Sequence, residues 1–269
     1  MPLDPLLMAT AIDAVLRAGE IQMARFGSVL RVDKKGTIDL VTEIDVAVER
    51  MFRGLIAERF PDHAVLAEEL DVPAPASPFC WVFDPLDGTT NYAHGLPIFC
   101  ASLALELEGR AVLGAIYDPT RQELFTAERG GGAYLNGVPM RVSTAGDILD
   151  ALLCTGFPYD VHDTLEEIVG LFGAFVGRAR AVRRLGSAAI DLCYVAAGRL
   201  DGFWEQRLKP WDIAAGALMV EEAGGRVTDF AGGGFSSRAG TVVASNGHVH
   251  PAMLDIIAEF ARRSRNATD

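Results

Sequence analysis

Asp84 and Asp87 stand three residues apart in the run Trp81-Val82-Phe83-Asp84-Pro85-Leu86-Asp87-Gly88-Thr89-Thr90-Asn91-Tyr92. Two carboxylates at that spacing around a proline can do metal chemistry. Phe79 to Phe83 is apolar, aromatic and β-branched, the composition of a buried strand. Pro85 fixes φ and offers no N–H, so the strand is expected to stop at Asp84 and one tight turn to bring both carboxylates to a common point. Carboxylates held there repel unless a cation lies between them, and oxygen-only ligation suits a hard ion, Mg2+ first. Gly88, Thr89 and Thr90 then supply backbone N–H groups and hydroxyls at what reads as a helix start, a phosphate cradle beside a metal. Taken alone, Asp-Pro-x-Asp-Gly is also the composition of an ordinary surface turn.

Phosphoryl transfer needs charge neutralised at the phosphate oxygens and a positioned nucleophile, and two metals can supply both. One turn cannot hold two metals, so further acids are needed. Glu68-Glu69 follow a short strand, Ala64 to Ala67. Asp212 lies in Lys209-Pro210-Trp211-Asp212-Ile213-Ala214-Ala215-Gly216, where Pro210 marks a helix start and the acid falls in the first turn. Singly, each of these reads as a solvated strand end or a helix N-terminal acid.

The elements that must position these groups are legible in outline. Residues 4–26 place Ile12, Val15, Leu16, Gly19, Met23 and Phe26 on one helix face,. A polar loop at Lys34-Lys35-Gly36-Thr37 leads to a second helix with Ile44, Val48, Met51 and Leu55 inward, ended by Pro61,. Asp45 in its first turn would meet the positive end of the helix dipole. Ile98 to Leu107, Ala111 to Tyr117, Glu123 to Thr126 and the segment around Tyr134 read as antiparallel strands punctuated by glycine and proline. Near residue 145 the pattern changes to strands alternating with helices. The division expected is 1–145, an α+β half carrying the metal and phosphate motif, and 146–269, an α/β half carrying the Trp-Asp motif.

Composition narrows the function. The 36 acidic against 24 basic residues give −12, which argues against nucleic acid held by bulk charge. A small phosphorylated substrate would need metal to be welcome. No leading hydrophobic stretch follows a basic start, and no apolar run reaches the roughly 20 residues needed to cross a bilayer, so no membrane association is expected and the cytoplasm is the expected location. Cys80, Cys100, Cys154 and Cys193 are scattered in apolar contexts and read as core residues,.

Three motifs in order, Ala67-Glu68-Glu69, Asp84-Pro85-Leu86-Asp87-Gly88-Thr89 and Trp211-Asp212-Ile213-Ala214, closely resemble the pattern of the inositol monophosphatase family, and within it the bacterial inositol-1-monophosphatase branch,. The resemblance implies a layered αβαβα sandwich of the sugar phosphatase type, usually a homodimer, with lithium inhibition. It implies that Glu68, Asp84, Asp87, Asp212 and the Leu86 carbonyl hold two or three Mg2+ ions. Glu68, Asp87 and Thr89 would form the catalytic group, with Thr89 paired to Glu68 to orient a water, while the Gly88 and Thr89 N–H groups hold the phosphate. Lys34, Asp39 and Asp45 match auxiliary positions, Asp45 beside an additional weak metal. Ser187 and Ala188, in Arg184-Leu185-Gly186-Ser187-Ala188-Ala189, would lie beside the substrate ring, and Glu205 would accept hydrogen bonds from inositol hydroxyls. No role falls to His94 or His162. No Ser, Cys or His in these motifs is paired with a base, so the nucleophile is water. The expected activity is Mg2+-dependent hydrolysis of inositol monophosphate. Sister specificities on the same scaffold are fructose-1,6-bisphosphatase, histidinol-phosphatase and 3′(2′),5′-bisphosphate nucleotidase. The rival of another class is a regulatory protein that keeps the fold and binds a partner such as RNA polymerase or ribosome-assembly factors.

Overall fold

The computed structural model describes residues 3–29, 32–34, 40–73 and 75–268. The first half runs α1 (Pro5–Arg25), β1 (Val32–Lys34), β2 (Leu40–Thr42), α2 (Glu43–Arg59), β3 (Ala64–Ala67), β4 (Phe79–Asp87), α3 (Thr89–Ala93), β5 (Cys100–Leu107), β6 (Arg110–Asp118), β7 (Glu123–Glu128), β8 (Gly132–Leu135) and β9 (Val138–Pro139). The second runs β10 (Leu152–Thr155), α4 (Leu165–Val176), β11 (Ala181–Arg183), α5 (Ala188–Ala196), β12 (Gly202–Gln206), α6 (Pro210–Glu222), β13 (Arg226–Thr228), β14 (Thr241–Ser245) and α7 (His250–Thr268). Strands β3 to β9 form a seven-stranded sheet in chain order, and β11-β10-β12-β14-β13 a five-stranded one.

The layers follow from which residues are apolar on how many sides. In α1 the buried positions Leu7, Ala11, Ala14, Val15 and Ala18 recur at three- and four-residue steps, so one face packs and the other is wet. With α2 it covers one side of the seven-stranded sheet, where the rings of Phe52 and Phe83 lie 4.1 Å apart. Helix α6 differs: Ile213 to Val220 are all buried. A helix apolar all round belongs between two sheets, and α5 and α6 fill that layer,. On the outer side of the five-stranded sheet lie α4 and α7, with Phe175 stacked on Trp204 at 3.7 Å. The order is helix, sheet, helix, sheet, helix, the expected αβαβα sandwich. Among the described residues no helix is long and apolar enough to cross a membrane.

Two readings need correction. The strand through Phe83 does not stop at Asp84; β4 continues to Asp87. Lys34, read as the start of a polar loop, pairs in β1 antiparallel with β2, while the rest of that loop, 35–37, lies outside the described residues. Asp39 lies outside the described residues, as does the side chain of Lys34, whose backbone pairs with Leu40.

The parallel pairs decide where a site can form. Strands β3 and β4 run parallel, as do β11, β10 and β12. Ligands of such sheets bind outside the carboxyl ends of the strands. Glu68 follows β3, Asp84 and Asp87 end β4, Gly156 follows β10, Arg184 follows β11, and Glu205 is next to last in β12.

Candidate active site

A bulge, not a turn, brings Asp84 and Asp87 together. Asp84 pairs with Ser102 and Asp87 with Cys100, so three steps along β4 oppose two along β5. In a regular strand residues three apart point to opposite faces; one extra residue restores the phase and aims both side chains alike. Asp84 is 2% exposed and its Oδ1 accepts the Leu86 N–H at 2.9 Å. Asp87 Oδ2 accepts the Ser187 hydroxyl at 2.6 Å and the Ala189 N–H at 2.8 Å. The Cys100 thiol also donates to it at 3.8 Å. Asp212, in the first turn of α6, accepts the Lys209 N–H at 2.7 Å through Oδ2.

Glu68, Asp84, Asp87 and Asp212 line one cleft, into which the first turns of α3, α5 and α6 also open. Burial raises the Asp84 carboxyl well above the ordinary range, and the charges of Glu68, Asp87 and Asp212 push it further. Burial also raises Asp87, against the hydrogen bonds from Ser187 and Ala189. Asp212 is raised well above the usual value by burial and then by the charge of Asp87. Mutual repulsion of this kind is what a bound cation relieves. The donor set is oxygen throughout, fitting Mg2+ and not a soft metal. Among the described residues no three acids are closed around a point at metal-holding distance.

Gly88 makes the step from strand to helix. Its φ of +93° is open to glycine, and a Cβ there would lie 2.8 Å from the Ile98 carbonyl oxygen,. The Thr89 hydroxyl that follows meets the Leu86 carbonyl at 2.9 Å and the Asp45 carboxylate at 3.1 Å. The acid in direct contact with the Thr89 hydroxyl is thus Asp45 of α2. Asp45 is itself fixed by accepting the Thr42 N–H at 2.9 Å.

Gly156, Phe157, Arg184, Asp191 and Glu205 also line the cleft, as do Ser187, which touches Asp87, and Ala188 beside it. Glu205 is 8% exposed, not a solvated strand-end acid. A Cβ on Gly156 would fall 2.1 Å from its Oε2. Burial, then the charge of Asp191, push Glu205 up to about 8, while Arg184 opposes the shift. Asp191 was not foreseen. It is 1% exposed, its Oδ1 has no hydrogen-bond partner, and burial raises it well above the usual range. The available signal was its position four residues after Ser187, on the same helical face. Arg184 lies over the Phe157 ring at 5.7 Å. The cysteines are all free; Cys100, Cys154 and Cys193 are buried as core residues, Cys80 is half-buried, and Cys100 touches the site. His94 and His162 are absent from the cleft lining.

The sequence pattern of the inositol monophosphatase family matches residues 5–264. The chain is 44% identical over 250 residues to the inositol-1-monophosphatase of Synechocystis sp., covering 92% of this chain and 87% of that one. It is 42% identical over 251 residues to Nus factor SuhB of Escherichia coli, covering 92% and 94%. The solved structure of extragenic suppressor protein suhB from Bartonella henselae matches with a TM-score of 0.88 at 38% identity, over 94% of this chain and 98% of that one. Fold, motifs in order and likeness over nearly the whole length agree: the chain belongs to the inositol monophosphatase family and is a phosphatase of that type.

Proposed function

We propose that the chain hydrolyses small phosphomonoesters of polyols or sugars, inositol monophosphate first, in a Mg2+-dependent reaction. The observation that carries this is the cleft itself, lined together by Glu68 after β3, Asp84 and Asp87 of β4, Asp212 of α6 and the buried carboxyl of Glu205. Glu68, Asp84, Asp87, Asp212 and the Leu86 carbonyl would hold two or three ions. Bound Mg2+ supplies neutralisation of phosphate charge and a lowered pKa for water.

The rest falls to the chain's own residues. The N–H groups of Gly88 and Thr89 receive the phosphate oxygens. A water seated at Thr89 gives its proton to Thr89 Oγ1 as it attacks phosphorus, and the hydroxyl proton passes to Asp45. The ester oxygen leaves with a proton from solvent. Asp45, which accepts the Thr42 N–H and meets the Thr89 hydroxyl, would accept that proton,. Ser187 and Ala188 line the side where the ring would sit, and Glu205 accepts its hydroxyls.

Phosphate release from inositol monophosphate, fructose 1,6-bisphosphate, histidinol phosphate and adenosine 3′,5′-bisphosphate, with and without Mg2+, tests this. Fastest release from inositol monophosphate, and only with Mg2+, is expected. Preference for another ester assigns a sister specificity, and no release from any favours the regulatory reading, which the Nus factor name of the 42% identical relatives suggests. The same proposal makes the protein a cytoplasmic homodimer inhibited by lithium, which sedimentation and assays in LiCl would check.

A further inference from the structure

Glu49 of α2 is 0% exposed and does not line the cleft. Its Oε2 accepts the Glu69 N–H at 2.7 Å, and its Oε1 accepts the Leu70 N–H at 3.1 Å and Arg53 Nε at 2.7 Å. Arg53, one turn further along α2, donates through Nη2 to the Leu70 carbonyl at 2.9 Å. Two side chains thus hold the N–H of Glu69 and both backbone polar groups of Leu70. Those residues lie beyond the end of β3, where no ladder partner fixes them. A buried ion pair adds little to stability over apolar packing of the same volume. What this one adds is a fixed backbone directly after Glu68.

We propose that Glu49, together with Arg53, is a positioning residue for Glu68: the clamp on residues 69–70 sets where the Glu68 carboxylate enters the cleft. Cation affinity at the cleft therefore depends on a side chain that does not reach it. The inference rests on Glu68 being a metal ligand.

The test compares wild type, Glu49→Gln, Glu68→Gln and the double variant by two readouts, the Mg2+-induced rise in melting temperature and Mg2+-dependent phosphate release. Glutamine keeps the shape but turns one acceptor into a donor facing a backbone N–H. Residues behind metal ligands typically affect metal affinity by roughly 10- to 100-fold. The Mg2+ midpoint of Glu49→Gln should rise within that range in both readouts, with kcat at saturating Mg2+ largely kept. In the Glu68→Gln background the same substitution should shift the midpoint by less than about twofold, since groups acting through one another are non-additive. An equal shift in both backgrounds, or a lower melting temperature with an unmoved midpoint, overturns the proposal. If Glu49→Gln does not fold, Arg53→Met, which leaves both backbone N–H groups paired, must raise the midpoint in the same background-dependent way or the proposal fails. A wild type indifferent to Mg2+ in both readouts overturns the metal reading first, and this inference with it.

Discussion

In the proposed mechanism Thr89 would act on the attacking water and Glu205 on the substrate ring, so their variants should separate. Thr89→Ala removes the hydroxyl that meets Asp45 and the Leu86 carbonyl. General-base assistance of this kind is worth ~10²- to 10⁴-fold. A fall in kcat of that size with little change in KM is expected, and Thr89→Ser should recover most of it; unaltered kcat in Thr89→Ala would remove the residue from the mechanism. Above pH 8, where the Glu205 carboxyl is ionised, Glu205→Ala deletes a charge-assisted bond worth about 1.5 to 3 kcal/mol, or roughly 10- to 150-fold in kcat/KM for inositol monophosphate. An aryl phosphate, with no ring hydroxyls, should be hydrolysed nearly as before. Equal loss on both substrates would give Glu205 a role in the fold or the metal site instead.

At the scale of elements, the bulge in β4 and the Gly88 junction after it bring together Asp84, Asp87 and the start of α3, the groups proposed to hold metal and phosphate. Gly88→Ala forces a Cβ toward the Ile98 carbonyl at a φ that L-residues resist. The cost should be about 1 to 3 kcal/mol in thermal melts, with activity falling further than stability; an unchanged enzyme would mean that the junction is not strained. The long elements were legible because their apolar periodicity is their packing requirement: α1 and α2 repeat at helical steps, and the all-apolar stretch of α6 fits a helix covered on every side. The bulge was not legible. Pro85 looks like a stop, and only the pairing of Asp84 with Ser102 and Asp87 with Cys100 shows that the strand carries on. Likewise the acids were readable as types at motif spacing, but their partners were not. Asp45 meets Thr89 across 44 residues of sequence, and Asp191 and Glu205 are buried by the packing of separate elements, which no local pattern encodes.

For the whole molecule, one cleft concentrates acids that burial holds above their ordinary values, and that makes stability depend on pH. Glu205 titrates at about 8 when folded against 4.5 as a model acid. Between those values the folded state holds the proton that the unfolded state has lost, so stability falls as pH rises and is fully present only below about 4.5. His250, buried and lowered from 6.5 to about 4, acts with the opposite slope but only below 6.5. From pH 6.5 to 8 the metal-free protein should therefore lose melting temperature, and Glu205→Gln should flatten that loss; a wild-type melting temperature that is constant or rises over this window would contradict the burial of Glu205. Mg2+ should offset the repulsion among Asp84, Asp87 and Asp212 and raise the melting temperature. The most direct test of the central claim titrates Mg2+ against phosphate release from inositol monophosphate in wild type and Asp84→Asn, which keeps the side chain's shape and its acceptor for the Leu86 N–H. The account predicts no release from wild type without Mg2+, saturable release with it, and a folded Asp84→Asn that loses on the order of a hundredfold or more in kcat/KM. Metal-independent release, or full turnover by Asp84→Asn, would contradict it.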